Sequence, residues 1–185
     1  MSSALAMLGP TILILGFAAL TPAHAQPPST SAVITNYADI AAANFADCHA
    51  AAVEMQKKIE DLLANPSDEA LATARAAWVA AREPYMQTEV YRFGNKLVDD
   101  WEGKVNAWPL DEGLIDYVSR TYSEADTQEN EGYAINVIAN KSLKIAGETI
   151  DASNITPQLL VRHLHEAGGV EANVATGYHA VEFLL

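Results

Sequence analysis

Cysteine is nearly absent: Cys48 stands alone, so no intrachain disulfide can form and the fold must rely on its core. Cys48-His49 is not a c-type haem attachment site, because position 45 is Phe where the earlier cysteine would stand. Basic residues are scarce as well. Lys+Arg 11 against Asp+Glu 24 leaves a formal net charge of -13, which speaks against nucleic acid and against anionic membrane surfaces as partners. There is no phosphate-cradling Gly-rich loop, no nucleophile elbow, no internal repeat and no low-complexity tract. His163-Leu164-His165-Glu166 does not make a zinc-protease helix, since the second histidine would have to be residue 169, which is Gly. His163 and His165 are therefore assigned to the surface or to a supporting position.

What is present begins with a leader. Residues 1–25 hold the apolar run Ala6 to Leu20 and end in Ala23-His24-Ala25, a small-x-small cleavage signature followed by the polar Gln26-Pro27-Pro28. The expectation is a secretory signal peptide over 1–25, a short linker over 26–31 and one helical domain over 32–185. Met1 to Pro10 carries no Lys or Arg, so the usual positive start is missing. An uncleaved N-terminal anchor is the competing reading, against which the apolar run is short. About 160 residues remain after the leader, enough for one domain with a sizeable core.

The mature part reads as mostly helical. Ala32 to Ala64 has no Gly or Pro, Asn65-Pro66-Ser67-Asp68 forms a turn, and Ser67 caps a second helix running to Arg92 with a kink at Pro84. Two long helices joined by a tight turn make an antiparallel hairpin, the start of an up-and-down bundle. Phe93 to Asn130 breaks up around Gly94, Gly103, Pro109 and Gly113, with Trp101, Trp108, Tyr117 and Tyr122 between them; a short helix is expected at Asp111 to Ser119. Further helices are expected over Glu131 to Ala146 and Pro157 to Ala167, the latter capped by Thr156. A terminal helix should begin near Ala172 to Thr176. The fold class expected is all-α, with a long irregular, aromatic-rich connection.

Two patterns carry chemistry. Trp78, Arg82, Tyr85, Glu89 and Arg92 recur at spacings of a single helix face, apolar at its start and polar toward its end. That face either lines a cleft or forms ion pairs at the bundle edge, and Glu83 beside Pro84 is a separate candidate for a buried carboxylate. Near the C-terminus, Gly177-Tyr178-His179-Ala180-Val181-Glu182-Phe183-Leu184-Leu185 sets an imidazole and a carboxylate on one side of an apolar helix. Such groups need a metal, a polar ligand or a hydrogen-bond network to offset their desolvation. His179 and Glu182 are at most a half-site, since metal sites gather three or four ligands.

Taken together, three blocks resemble the imelysin-like family, which includes the imelysin peptidases and the iron-regulated protein A group. They are the Gly-x-His-x-x-Glu segment above, Ala77-Trp78-Val79-Ala80-Ala81-Arg82-Glu83-Pro84-Tyr85, and Asn106-Ala107-Trp108-Pro109-Leu110-Asp111-Glu112-Gly113-Leu114-Ile115-Asp116-Tyr117. The resemblance implies an exported helical protein of the bacterial envelope, periplasmic or associated with the outer membrane, with two bundle-like halves and the signature near their junction. It implies a metal ion held by His179 and Glu182; the helix pattern adds Glu83 or Glu89 as a third ligand, in a cleft lined by Arg82, Tyr85, Arg92, Trp108, Asp111 and Tyr178. Imidazole with carboxylate suits iron or zinc better than copper(I). Family members continue past the motif with Trp-Gly and a second half-bundle, so the chain is expected to be a truncated form. Three functions stay open: metal binding in iron acquisition with envelope uptake partners, metal-dependent peptide hydrolysis, and a purely structural His-Glu pair. Binding ranks above hydrolysis, since no second histidine lies one helical turn away.

Overall fold

The computed structural model describes residues 27–119 and 130–185. The expected leader and Tyr122 lie outside these residues. Among them the chain is helical apart from one small β-hairpin, as the all-α reading requires.

Helix α1 spans Thr30–Ala64 and helix α2 spans Asp68–Gln87. Both starts are capped as their sequences dictate: Ser29 accepts from the Ala32 amide at 3.2 Å and Ser67 from the Ala70 amide at 3.1 Å. Asp68 and Glu69 in the first turn of α2 also complement the helix dipole. The three-residue connection folds α2 back along α1. Their shared core is Cys48, Ala81 and Tyr85, joined by Tyr178 from the far end of the chain.

Helix α2 runs through Pro84 but ends at Gln87, short of the expected Arg92. The reason is local: both the amide and the hydroxyl of Thr88 donate to the Tyr85 carbonyl, at 2.9 and 2.6 Å, and the chain tightens into a 3₁₀ turn at Glu89–Tyr91. Gly94, at φ +71°, completes the reversal.

Part of the region expected to be irregular is an ordered helix, α3, Lys96–Asn106. Its inner side carries Val98, Glu102, Val105 and Asn106, spaced by three and four residues, and Arg92 holds it through ion pairs to Asp99 at 3.1 Å and Glu102 at 3.0 Å. A single turn, α4, follows at Glu112–Ile115 in place of the longer helix expected over 111–119. Three of its four residues, Gly113, Leu114 and Ile115, are buried.

The helix expected over 131–146 does not exist. Turns reach Asn140, and strands β1 (Ser142–Ile145) and β2 (Glu148–Asp151) then pair antiparallel, Ser142 opposite Asp151 and Ile145 opposite Glu148. Ala146 and Gly147 join them with φ of 52° and 79°, the positive pair that a tight hairpin turn demands. Leu143, Ile145 and Ile150 bury one face of the hairpin against Leu114, Leu159 and Leu164.

Helix α5, Pro157–Leu159, is capped by Thr156 as expected, with Leu159 N–H donating to its hydroxyl at 3.2 Å. It widens into a π turn through Leu160–Leu164 and stops there, short of Ala167, because Glu166 and Gly168 take positive φ. Helix α6, Tyr178–Leu184, closes the described chain and starts later than expected. It packs on two cores at once: Tyr178 enters the α1–α2 core, while Ala180 and Phe183 join Leu110, Ile115 and Val174. Among the described residues no helix is long and apolar enough to cross a membrane.

Candidate functional site

The position of α6 follows from the residue before it. Gly177 has φ +90° and ψ -176°, a region open essentially to glycine alone, and a Cβ there would meet the Val105 carbonyl. The backbone of the motif can therefore press against the end of α3. Thr176 strengthens that contact by donating its hydroxyl to the Lys104 carbonyl at 2.9 Å. On the other side, the Trp78 indole N–H donates to the Tyr178 carbonyl at 2.8 Å, and the Arg75 side chain reaches the Leu185 carbonyl at 2.5 Å.

So held, α6 turns His179 and Glu182 outward together. His179 Nδ1 lies 3.1 Å from Glu182 Oε2, and the imidazole is 17% exposed against 50% for the carboxylate. Nδ1–H donating to Glu182 fixes the ring, and Nε2 makes no hydrogen bond among the described residues. The exposed ring of Trp108 covers the imidazole at a centroid distance of 4.9 Å. His179, Glu182 and Trp108 thus lie together.

Glu83 and Glu89 do not join them. Glu83 is exposed, because it falls two residues from both Ala81 and Tyr85 and so points away from the face of α2 that they bury. Glu89 is exposed as well, carried out of line when α2 gives way to the 3₁₀ turn. Among the described residues no group of three or more His, Cys, Asp or Glu side chains could hold a metal ion. With Glu182 held at Nδ1, the donor set offers a metal at Nε2 one imidazole nitrogen and an orienting carboxylate, short of the three or four ligands that closed sites use.

The residues expected to line a cleft divide into two networks. The Arg82 guanidinium stacks near three rings, 5.1 Å from Tyr178, 5.5 Å from Tyr85 and 5.9 Å from Trp78. Its Nη1 donates to Asn106 Oδ1, Asn106 donates on to Glu102 at 3.1 Å, and Glu102 pairs with Arg92. Arg82 and Arg92 thus tie α2 to α3 at the bundle edge. Tyr85 and Tyr178 pack with ring centroids 5.0 Å apart, and burial pushes both phenols up from their ordinary range, helped at Tyr85 by the Glu102 charge. Arg92 is also raised, by its hydrogen bond to Asp99, although burial acts against it.

Asp111 belongs to the second network. Its amide donates to the Ala172 carbonyl at 2.9 Å, and its carboxylate accepts from the buried Asn130. Asn130 also donates to Asn173 Oδ1 at 2.7 Å, and Asn173, wholly buried, donates to the Ala167 carbonyl at 2.7 Å. Asp111 therefore pins the loop before α6 instead of facing a ligand. Asn106, Asn130, Asn173 and Thr176 do much of the positioning, and only Asn106 lay inside a recognisable block. Isolated Asn and Thr residues give no periodic signal, so the other three could not be singled out.

Comparison with known proteins places these elements in context. The family model for imelysin matches residues 41–185. Iron-regulated protein A from Synechococcus elongatus is 26% identical over 107 residues, a match covering 55% of this chain and 30% of that protein. The chain thus spans under a third of the length of this curated relative. With the model running from within α1 through His179 and Glu182 to the last residue, the chain belongs to the imelysin family.

Proposed function

We propose that this is an exported metal-binding protein of the bacterial envelope, linked to iron, in which His179 supplies a ligand through Nε2, Glu182 orients its ring, and further groups complete the site. The observation that carries the reading is the His179–Glu182 pair itself: a carboxylate orients the ring through Nδ1 and leaves Nε2 for a metal, the arrangement that raises the basicity of a ligating histidine. The name of the relative, iron-regulated protein A, supports a link to iron. Nitrogen with oxygen donors suits ferrous iron, with zinc as the competitor. Binding is preferred to hydrolysis because the single carboxylate beside His179 is already engaged in holding the ring. The leader read in residues 1–25 supports export, and with it a periplasmic or outer-membrane location.

Calorimetric titration of the full chain with ferrous iron under anaerobic conditions, and with zinc, tests this. His179→Ala is expected to abolish binding, and Glu182→Gln to weaken it by about tenfold or more, the range for lost supporting partners. Equal affinity in wild type and His179→Ala would overturn the proposal.

A further inference from the structure

Away from the His-Glu pair, Tyr178 and Val181 of α6 close a pocket of 510 Å³ between α1, α2 and α3. Its size falls among small-molecule sites, which run from about 300 to 1,000 Å³ and are mostly apolar. Phe45 and Met55 line it from α1 and Trp101 from α3. The chain carries Asp+Glu 24 against Lys+Arg 11, yet no carboxylate lines this pocket. Its charged lining residue is Lys104, with the imidazole of His49 as the other strongly polar group. Glu102, whose charge reaches Tyr85, is turned to Arg92 and Asn106 instead.

We propose that this pocket binds an amphipathic small molecule with one carboxylate on an aliphatic body, the carboxylate meeting Lys104 and the body lying against Phe45, Met55 and Trp101. A cationic head would gain nothing here that the acidic remainder of the surface does not offer better. A neutral apolar molecule would fill the walls but make no use of the exposed Lys104 ammonium. The inference is independent of the metal reading, since neither His179 nor Glu182 lines the pocket.

The test is titration of the full chain with sodium decanoate below its micelle concentration, followed by calorimetry and by the fluorescence of the tryptophans, one of which forms a wall. Decanol and decyltrimethylammonium serve as neutral and cationic probes of the same chain length. Saturable one-site binding of decanoate is expected, weakened about tenfold by Lys104→Met and for decanol, a factor corresponding to about 1.4 kcal/mol. Ala52→Trp, which fills the pocket from α1, should abolish it while the circular dichroism stays that of wild type. Should Ala52→Trp fail to fold, the Lys104→Met comparison decides alone. Non-saturable uptake, equal decanoate affinity in wild type and both variants, or a preference for the cationic probe would overturn the proposal.

Discussion

A Cβ placed on Gly177 would lie 2.5 Å from the carbonyl oxygen of Val105, inside the distance real side chains reach. Gly177→Ala must therefore either push α6 off α3 or distort a backbone that L residues avoid. The expected cost is about 2–4 kcal/mol, at the upper end for single substitutions. Urea unfolding of the two proteins measures it; a loss below about 1 kcal/mol would show that the motif glycine has another purpose.

Arg82 and Asn106 join the same-face aromatics of α2 to α3. In a double-mutant cycle with Arg82→Met and Asn106→Leu, a coupling of about 1–2 kcal/mol is expected, as for a charge-assisted hydrogen bond. Arg82→Lys should recover little of it, because an ammonium cannot lie flat against three rings. Additive single effects would count against the network.

Asn173→Ala should destabilise by about 1–3 kcal/mol, since it strands one donor of the buried Asn130 and leaves the Ala167 carbonyl with the Val170 amide alone. The same substitution is expected to leave α1 and α2 intact, as their core holds none of these groups. Hydrogen exchange resolved by segment would check both halves of that statement.

Alkali should weaken the fold through Tyr85 and Tyr178. Burial raises both phenols above the unfolded value of about 10, so the native state keeps protons that the unfolded chain releases. Their contribution is thus whole below pH about 10 and is lost as pH climbs beyond it toward the native values. Thermal melts from pH 9 upward, at about half-unit steps, should fall more steeply for wild type than for Tyr85→Phe. Parallel curves would contradict the assignment.

Much of this architecture was legible in the sequence. The α1–α2 hairpin followed from an unbroken helical run, the Pro66 turn and the Ser67 cap, all of them local signals. The site pair followed from the three-residue spacing of His179 and Glu182 on one side of α6. What stayed hidden depends on tertiary contacts. The strands at Ser142–Ile145 and Glu148–Asp151 do alternate in polarity, but each is only four residues long, and Ala146 before Gly147 is an inconspicuous turn. Helix α3 was obscured by Gly94 and Gly103 and by its many charges, yet Arg92 pairing with Asp99 and Glu102 secures it. Glu83 was misjudged for another reason: proximity to Pro84 suggested burial, whereas the helix period sets it outward from Ala81 and Tyr85.

Helix α1 is continuous in geometry and divided in stability. Every residue from Pro27 to Ile40 is exposed, including Val33, Ile34 and Tyr37, and the edge of the Tyr37 ring on Tyr91, centroids 5.4 Å apart, is the aromatic contact that anchors this stretch. Further along, Cys48 sits in the core with Ala81, Tyr85 and Tyr178. Amide protection should accordingly rise along the helix from almost nothing at its start, where turns fray without disturbing other elements, to the global value around Cys48. One secondary-structure element then records both the weakest and the strongest parts of the molecule.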